Sequence, residues 1–205
     1  MQENSHISTY TEKIYTPKGF AEVNVFGDKK VLHIGSGKKR LPGTTTIDIL
    51  DLPGVDIVHD LDQMPWPIQD NEYDVIFAHS VFEHLEDQVK IMEEMWRILK
   101  PQGRIVICVP HFRCVDAFND STHTHFFTSR SMDYYIQGTR LADFEYTNKY
   151  FKKIGFWIGW PQPSTNPVKQ FFKNFVHSHQ GFYDSHLSLL FPVKILTWEL
   201  EVIKN

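Results

Sequence analysis

Residues 30–37 read Lys-Val-Leu-His-Ile-Gly-Ser-Gly, and a single aspartate, Asp48, follows at the end of Thr44-Thr45-Thr46-Ile47. An apolar run that ends in Gly35-Ser36-Gly37 predicts a buried strand delivering bare backbone to a ligand, because glycine lacks a Cβ and takes positive φ readily. A carboxylate at the end of the next strand can grip a ribose diol. Together the two features read as the nucleoside end of a Rossmann-like cofactor site.

The spacing between them selects the nucleoside. A dinucleotide fingerprint needs three glycines as G-x-G-x-x-G, a helix opening at the loop and an acid about 20 residues on. Here the third position is Arg40, and Asp48 comes 11 residues after Gly37. Pro42-Gly43 in that interval leaves no room for a crossover helix, so the helix N-terminus that seats a pyrophosphate is missing. A nucleotide-dependent oxidoreductase is therefore disfavoured. A ligand with a ribose and no phosphate fits better, and S-adenosylmethionine (SAM) is the common one.

Outward from this unit, short apolar runs recur at Val31–Ile34, Thr45–Ile49, Val55–His59, Tyr73–His79 and Arg104–Val109. Such runs suit strands buried on both faces of a parallel sheet. Between the last two, Val89, Met92, Met95, Trp96 and Leu99 recur at helical spacing, predicting a helix over about 86–99 that Lys100-Pro101-Gln102-Gly103 ends. Residues 126–205 carry 18 of the 29 aromatics, with strand-like sequence over 144–159 and helical sequence at 171–175 and 183–190. In Ile195–Ile203 the apolar residues alternate with Thr197, Glu199 and Glu201, as expected of a half-buried antiparallel strand near a sheet edge. The expected fold is α/β: a Rossmann-like, doubly wound, mostly parallel sheet with an antiparallel C-terminal strand.

With 205 residues, the simplest organisation is one domain, 1–205. Within it, 1–29 reads as an N-terminal cap, 30–110 as the SAM-binding core and 111–205 as the acceptor-binding and C-terminal part. A net charge of −4 argues against a nucleic-acid partner. The lack of a long apolar run argues against membrane insertion, and two cysteines favour a reducing, cytoplasmic setting.

At this point the residues resemble the class I SAM-dependent methyltransferases, in a methyltransferase-domain subgroup often found with bacterial glycan and cell-surface biosynthesis. The resemblance is carried by Leu32-His-Ile-Gly-Ser-Gly37, Leu41-Pro-Gly43, Ile47-Asp-Ile49, Val58-His-Asp-Leu61, the stretch Met64–Asp74, Ser80-Val-Phe-Glu-His-Leu85, Trp96–Arg104 and Val109-Pro-His111. It implies that Gly35, Ser36 and Gly37 pack on the methionine part of SAM. It implies also that Asp48 accepts from the ribose hydroxyls, Ile49 flanks the adenine, and Asp60 and Leu61 meet the adenine ring. His79 and Ser80 then lie where the methylsulfonium is presented. Two positions depart from the family pattern: His33 stands where an acid usually ends the first strand, and Lys39 stands in place of a third glycine.

The acceptor side is expected in the stretch His111–Phe126, which follows the fifth strand. His111 and His123 are the expected bases, with Asp116, Asp120 and His125 as lesser candidates. No metal is expected: His123, His125 and Asp120 make a weak donor pattern without a fourth ligand, and Glu83-His84 reads as a helix-start carboxylate beside a packed histidine. Lys38-Lys39-Arg40 reads as a basic turn beside the cofactor loop, and Tyr10 and Tyr15 as a lid over bound SAM. Trp157, Trp160, Phe171 and Phe172 are candidate stacking surfaces for an acceptor. The expected reaction is methyl transfer from SAM to a small-molecule or sugar-type, glycan-linked acceptor, most naturally at oxygen. A non-catalytic SAM-fold binding module is the alternative.

Overall fold

The computed structural model describes residues 9–16, 19–159 and 161–204. Trp160 and the first eight residues lie outside the described set. The main body is a seven-stranded sheet built from β3 (Val31–Ile34), β4 (Thr45–Asp48), β5 (Ile57–Val58), β6 (Tyr73–His79), β7 (Leu99–Pro110), β8 (Phe151–Ile158) and β9 (Ile195–Val202). Their spatial order is β5-β4-β3-β6-β7-β9-β8. From the central β3 the chain steps outward to β5, then returns across the middle to β6 and β7, which is the doubly wound order. β3 to β7 are mutually parallel, and β9 runs antiparallel to both neighbours.

Alternation along the central strands divides the core into two layers. Leu32, Ile34, Ile76, Ala78, Ile105, Ile107 and Val109 face the larger layer. There α2 (Gln88–Ile98) buries Ile91, Met92, Met95 and Ile98. Asp87 caps this helix by accepting from the Lys90 N–H at 3.1 Å, so the expected 86–99 helix is realised two residues in at its start and one residue short at its end. Val31, Val75, Phe77, Val106 and Cys108 face the second layer. The cover on that side is the N-terminal segment: α1 (Tyr10–Ile14), the two-stranded hairpin of β1 (Tyr15–Thr16) and β2 (Gly19–Phe20), and Phe26. Ile14 and Tyr15 are completely buried.

β9 differs from its sequence reading. It is not half-buried but buried on both faces, because it fills the gap between β7 and β8 while α1 covers it. Thr197 and Glu199, expected to face solvent, have no exposed surface. The Glu199 carboxylate is matched on both sides: the Thr11 N–H and hydroxyl each donate to Oε2 at 3.0 Å, and Arg104 Nη1 donates to Oε1 at 2.9 Å. The strand expected across 144–159 begins only at Phe151, and the helical sequence at 171–175 extends to α3 (Pro167–Ser178), capped by Asn166. Residues 183–190 supply a π-helical turn over Tyr183–Leu187 in place of a regular helix. Among the described residues no helix is long and apolar enough to cross a membrane.

Candidate active site and cofactor cleft

A cleft of about 920 Å³ opens at the carboxyl ends of β3 and β6, where ligands enter open α/β sheets. The β2 hairpin strand forms one wall through Gly19 and Phe20; Gly35, Ser36, His79 and Ser80 form the floor. Gly35 has φ +57°, and a Cβ there would sit 2.3 Å from Val81 Cγ2, so the turn requires glycine twice over. Its N–H donates to the Ile47 carbonyl at 2.9 Å. Gly37, with φ +51°, donates its N–H to Asp48 Oδ2 at 2.7 Å, and the Leu50 N–H donates to Asp48 Oδ1 at 2.9 Å. Asp48 is thereby fixed, while each carboxylate oxygen keeps a lone pair for a diol.

Ser36 is 4% exposed, and its hydroxyl is buried without a hydrogen-bond partner. Beside an open cleft, such an orphan calls for a ligand atom. Ser80 has φ +50°, a conformation that a residue with a Cβ holds only under constraint. The nucleoside-side residues lie next to this floor, at the ends of β4 and β5, where the His59 N–H donates to the Asp48 carbonyl at 2.9 Å. Ile49 is 62% exposed there, an apolar face without cover. Asp60 is half-buried, and its Oδ1 accepts from the Asp62 N–H at 3.1 Å. Leu61 packs into the core with its carbonyl taken by Trp66 Nε1, so it offers little surface to a ring.

The two histidines lining the cleft are neutral. Burial, with His79 nearby, lowers His33 to about 3; burial, with Lys39 nearby, lowers His79 to about 4. His79 Nδ1 lies 3.0 Å from the Tyr15 hydroxyl, which makes Tyr15 a buried support beneath the cleft instead of the expected lid. Tyr10 is further from that expectation. Its ring lies against Phe26 and under the Arg104 guanidinium, at the opposite end of the sheet from Gly35. Lys38 and Lys39 are exposed on the cleft wall, whereas the Arg40 guanidinium donates to the Pro53 carbonyl and ties the glycine loop to the β4–β5 turn.

The two expected bases have different surroundings. His111 is fully buried; its Nε2 lies 3.0 Å from Asp184 Oδ1, and its Nδ1 accepts from the Arg113 N–H at 3.3 Å. With both ring nitrogens engaged and no exposed surface, His111 presents no base to an acceptor. It joins the end of β7 to the 183–187 turn. Asp184 is held further by the Ser129 N–H and hydroxyl at 2.8 and 2.6 Å. Burial pushes its carboxyl up, but the bonds from His111 and Ser129 prevail and hold it below the usual range.

His123 is partly exposed, with Nδ1 2.9 Å from the Ala117 carbonyl. Of its expected companions Asp120 is close, its carbonyl accepting from the His123 N–H at 3.3 Å, whereas the Nδ1 of His125 is turned to the Thr124 hydroxyl. The His84 and His123 rings meet edge to face at 4.6 Å, and Glu83 lies beside them in the Phe82–His84 turn. Glu83 is 1% exposed, both of its carboxylate oxygens lack partners, and burial raises it to about 7. It lies in the first turn of the short 3-10 helix Phe82–His84, as the expected helix-start carboxylate, while Asp87 caps α2. Sequence reading missed this cluster because its members come from two loops about 40 residues apart. The Asp184 anchor and the Tyr15 support were missed for the same reason.

Residues 32–107 match the family model described as "Methyltransferase domain". That stretch of the chain is similar to a methyltransferase domain. The matched stretch includes every cofactor residue considered above and stops before His111. A curated relative, the glycine/sarcosine/dimethylglycine N-methyltransferase of Actinopolyspora halophila, is 41% identical over 44 residues. That alignment spans 22% of this chain and only 8% of the relative's length. A SAM-dependent methyltransferase from Archaeoglobus fulgidus shares the fold at TM-score 0.50, with 15% identity over 85% of this chain and 86% of the other. A putative methyltransferase from Bacillus halodurans does so at 0.51, with 15% identity over 85% and 93%. SAM is the cofactor that a methyltransferase domain implies, and the orphaned Ser36 hydroxyl, the bare Gly35–Gly37 backbone and the Asp48 carboxylate fit it. Asp48 and Ile49 would hold its nucleoside end, and Gly35, Ser36 and Gly37 its amino-acid end.

Proposed function

We propose that this domain transfers the methyl group of SAM to a small polar acceptor that reaches the cleft over His79 and Ser80. When bound, SAM would supply an activated methyl that an acceptor lone pair attacks in line, with S-adenosylhomocysteine leaving as the S–CH3 bond breaks, so positioning carries much of the rate. The observation behind the proposal is the rigid Gly37–Asp48 clamp beside the unpartnered Ser36 hydroxyl. Around it the chain's work is to bind and orient. Gly35 lets backbone approach the ligand, Asp48 fixes a diol, and the hairpin carrying Gly19 and Phe20 closes one side against water.

The state of the histidines narrows the acceptor. His33 and His79, held neutral at about 3 and 4, are weak proton acceptors, and His111 has no free nitrogen. A neutral amine or a carboxylate, which brings its own lone pair, suits this cleft better than a sugar hydroxyl that must lose a proton. The name of the curated relative, an N-methyltransferase of glycine and its methylated derivatives, points the same way.

The test has two parts. Calorimetry with S-adenosylhomocysteine should give one site per chain, and its absence at millimolar ligand overturns the proposal. A panel of amino acids, small amines, carboxylates and sugar nucleotides is then assayed for methylated product by mass spectrometry. Product from amines or carboxylates supports this acceptor class. Product confined to sugar hydroxyls returns the reading to an oxygen acceptor on a glycan precursor. Cofactor binding with no product from any class favours the non-catalytic binding module.

A further inference from the structure

Glu83, His84 and His123 pose a question that methyl transfer does not answer. A carboxylate with 1% exposure and two unpartnered oxygens is costly to bury unless something pairs with it. Among the described residues no cationic side chain does so, and two imidazoles stand beside it. One ring nitrogen from each histidine and a carboxylate oxygen of Glu83 all lie within 4.8 Å of one another.

The hydrogen bonds around the rings fix their tautomers. The Thr122 hydroxyl donates to Asp120 Oδ1 at 2.7 Å, so toward His84 it acts as acceptor, and His84 Nδ1, 2.8 Å away, carries the proton. His123 Nδ1 faces the Ala117 carbonyl at 2.9 Å, which only accepts, so it too carries the proton. Each ring is left with an unprotonated Nε2. A histidine that donates one N–H to a carbonyl or hydroxyl and keeps the other nitrogen bare is oriented as metal ligands are. The loops are also joined by backbone: the Thr124 and His125 N–H groups both donate to the Glu83 carbonyl, at 2.9 and 3.2 Å.

We propose that Glu83, His84 and His123 form a binding site for a divalent transition-metal ion of the zinc class. Two imidazoles and one carboxylate are a borderline donor set, matched to zinc, iron or cobalt in preference to magnesium or calcium. Ligands of a tetrahedral ion with bonds of about 2.1 Å stand about 3.4 Å apart. Reaching that from the present spacing takes an inward movement of about 1 Å by two partly exposed rings. Three protein donors leave the fourth position to water on the solvent side. His125 is not a ligand; its Nδ1 pairs with the Thr124 hydroxyl at 3.0 Å. The site is separate from the cofactor clamp and stands whether or not methyl transfer is the activity.

Cobalt(II) is the probe, since its visible d–d absorption reports ordered ligands where zinc is silent. One equivalent added to the whole chain is expected to give a band that zinc displaces. His123→Ala and Glu83→Gln are each expected to abolish it, and His125→Ala and His179→Ala to retain it. Thr122→Val, which removes the hydroxyl orienting His84, is expected to weaken affinity about tenfold. S-adenosylhomocysteine titration of the same samples shows that each variant is folded and scores the cofactor site separately. His84→Asn, at a partly exposed position, serves in place of any variant that fails to fold. A band that survives in the ligand variants, or no band in a chain that binds S-adenosylhomocysteine, overturns the site.

Discussion

At the scale of single residues, the geometry of the glycine loop and Asp48 was legible because it is local. Gly35, Gly37 and Asp48 act through backbone conformation and one loop closure, and both leave a mark in sequence spacing. Two predictions belong here. Gly35→Ala places a Cβ against Val81 in a left-handed turn, and calorimetry should find S-adenosylhomocysteine binding lost. Asp48→Asn retains the shape but turns one of its two acceptors into a donor facing an N–H group. A mispaired buried group costs about 1–3 kcal/mol, so the dissociation constant should rise about tenfold to a hundredfold. An unchanged constant would remove Asp48 from the site. The acceptor side was much less legible. His111 and His123 look equivalent in sequence, yet one is a buried anchor and the other is half-exposed beside Glu83. Only the tertiary partners, Asp184 and Glu83, separate them.

At the scale of elements, β3, β6 and α2 were readable because a run buried on both faces and a helical stripe each announce themselves. β9 was not, because its alternating Thr197 and Glu199 are polar residues buried with partners, a state that pattern alone reads as exposed. The Glu199–Arg104–Thr11 cluster holds α1, β9 and β7 together. Removing Glu199 leaves the Thr11 donors without that acceptor and Arg104 with one carboxylate fewer, its Glu201 bond at 3.3 Å remaining, and a buried polar group left unpaired costs about 1–3 kcal/mol. Glu199→Ala should therefore lower the urea midpoint sharply, while Lys90→Ala, which breaks an exposed pair with Asp87, should leave it nearly unchanged. The clamp of Asp184 on His111 and Ser129 makes a further prediction at this scale. Its carboxyl titrates below the ordinary 3.8 when folded, so its contribution is fully present above that pH and is lost as pH falls through the folded value. Hydrogen exchange near Tyr183–Leu187 should accelerate only in that acid range, and Asp184→Asn should abolish the dependence.

At the scale of the whole molecule, the buried histidines set an earlier acid limit. His33 and His79 take up protons near 6.5 when unfolded but only near 3 and 4 when folded. The unfolded chain binds more protons between those values, so stability falls as pH drops below 6.5. Each costs about 2 kcal/mol at pH 5 by that linkage. The melting temperature should decline steadily from pH 7 to pH 5, and His33→Gln should flatten part of the decline; an unaltered slope would contradict the neutral assignment.

The position of β9 also has a consequence for how the protein comes into being. It is the last strand of the sheet to leave the ribosome, yet its place lies between two strands already made. Until it arrives, β7 and β8 each present an open edge of unpaired amides and carbonyls, the kind of surface that recruits stray strands. The cofactor half, from β3 to β6, needs nothing from β9 and can be assembled well before the sheet is sealed. Synthesis should therefore pass through a stage that already carries the glycine loop and Asp48 while remaining dependent on chaperones. A ribosome-stalled chain ending before Ile195 is the form in which to look for it.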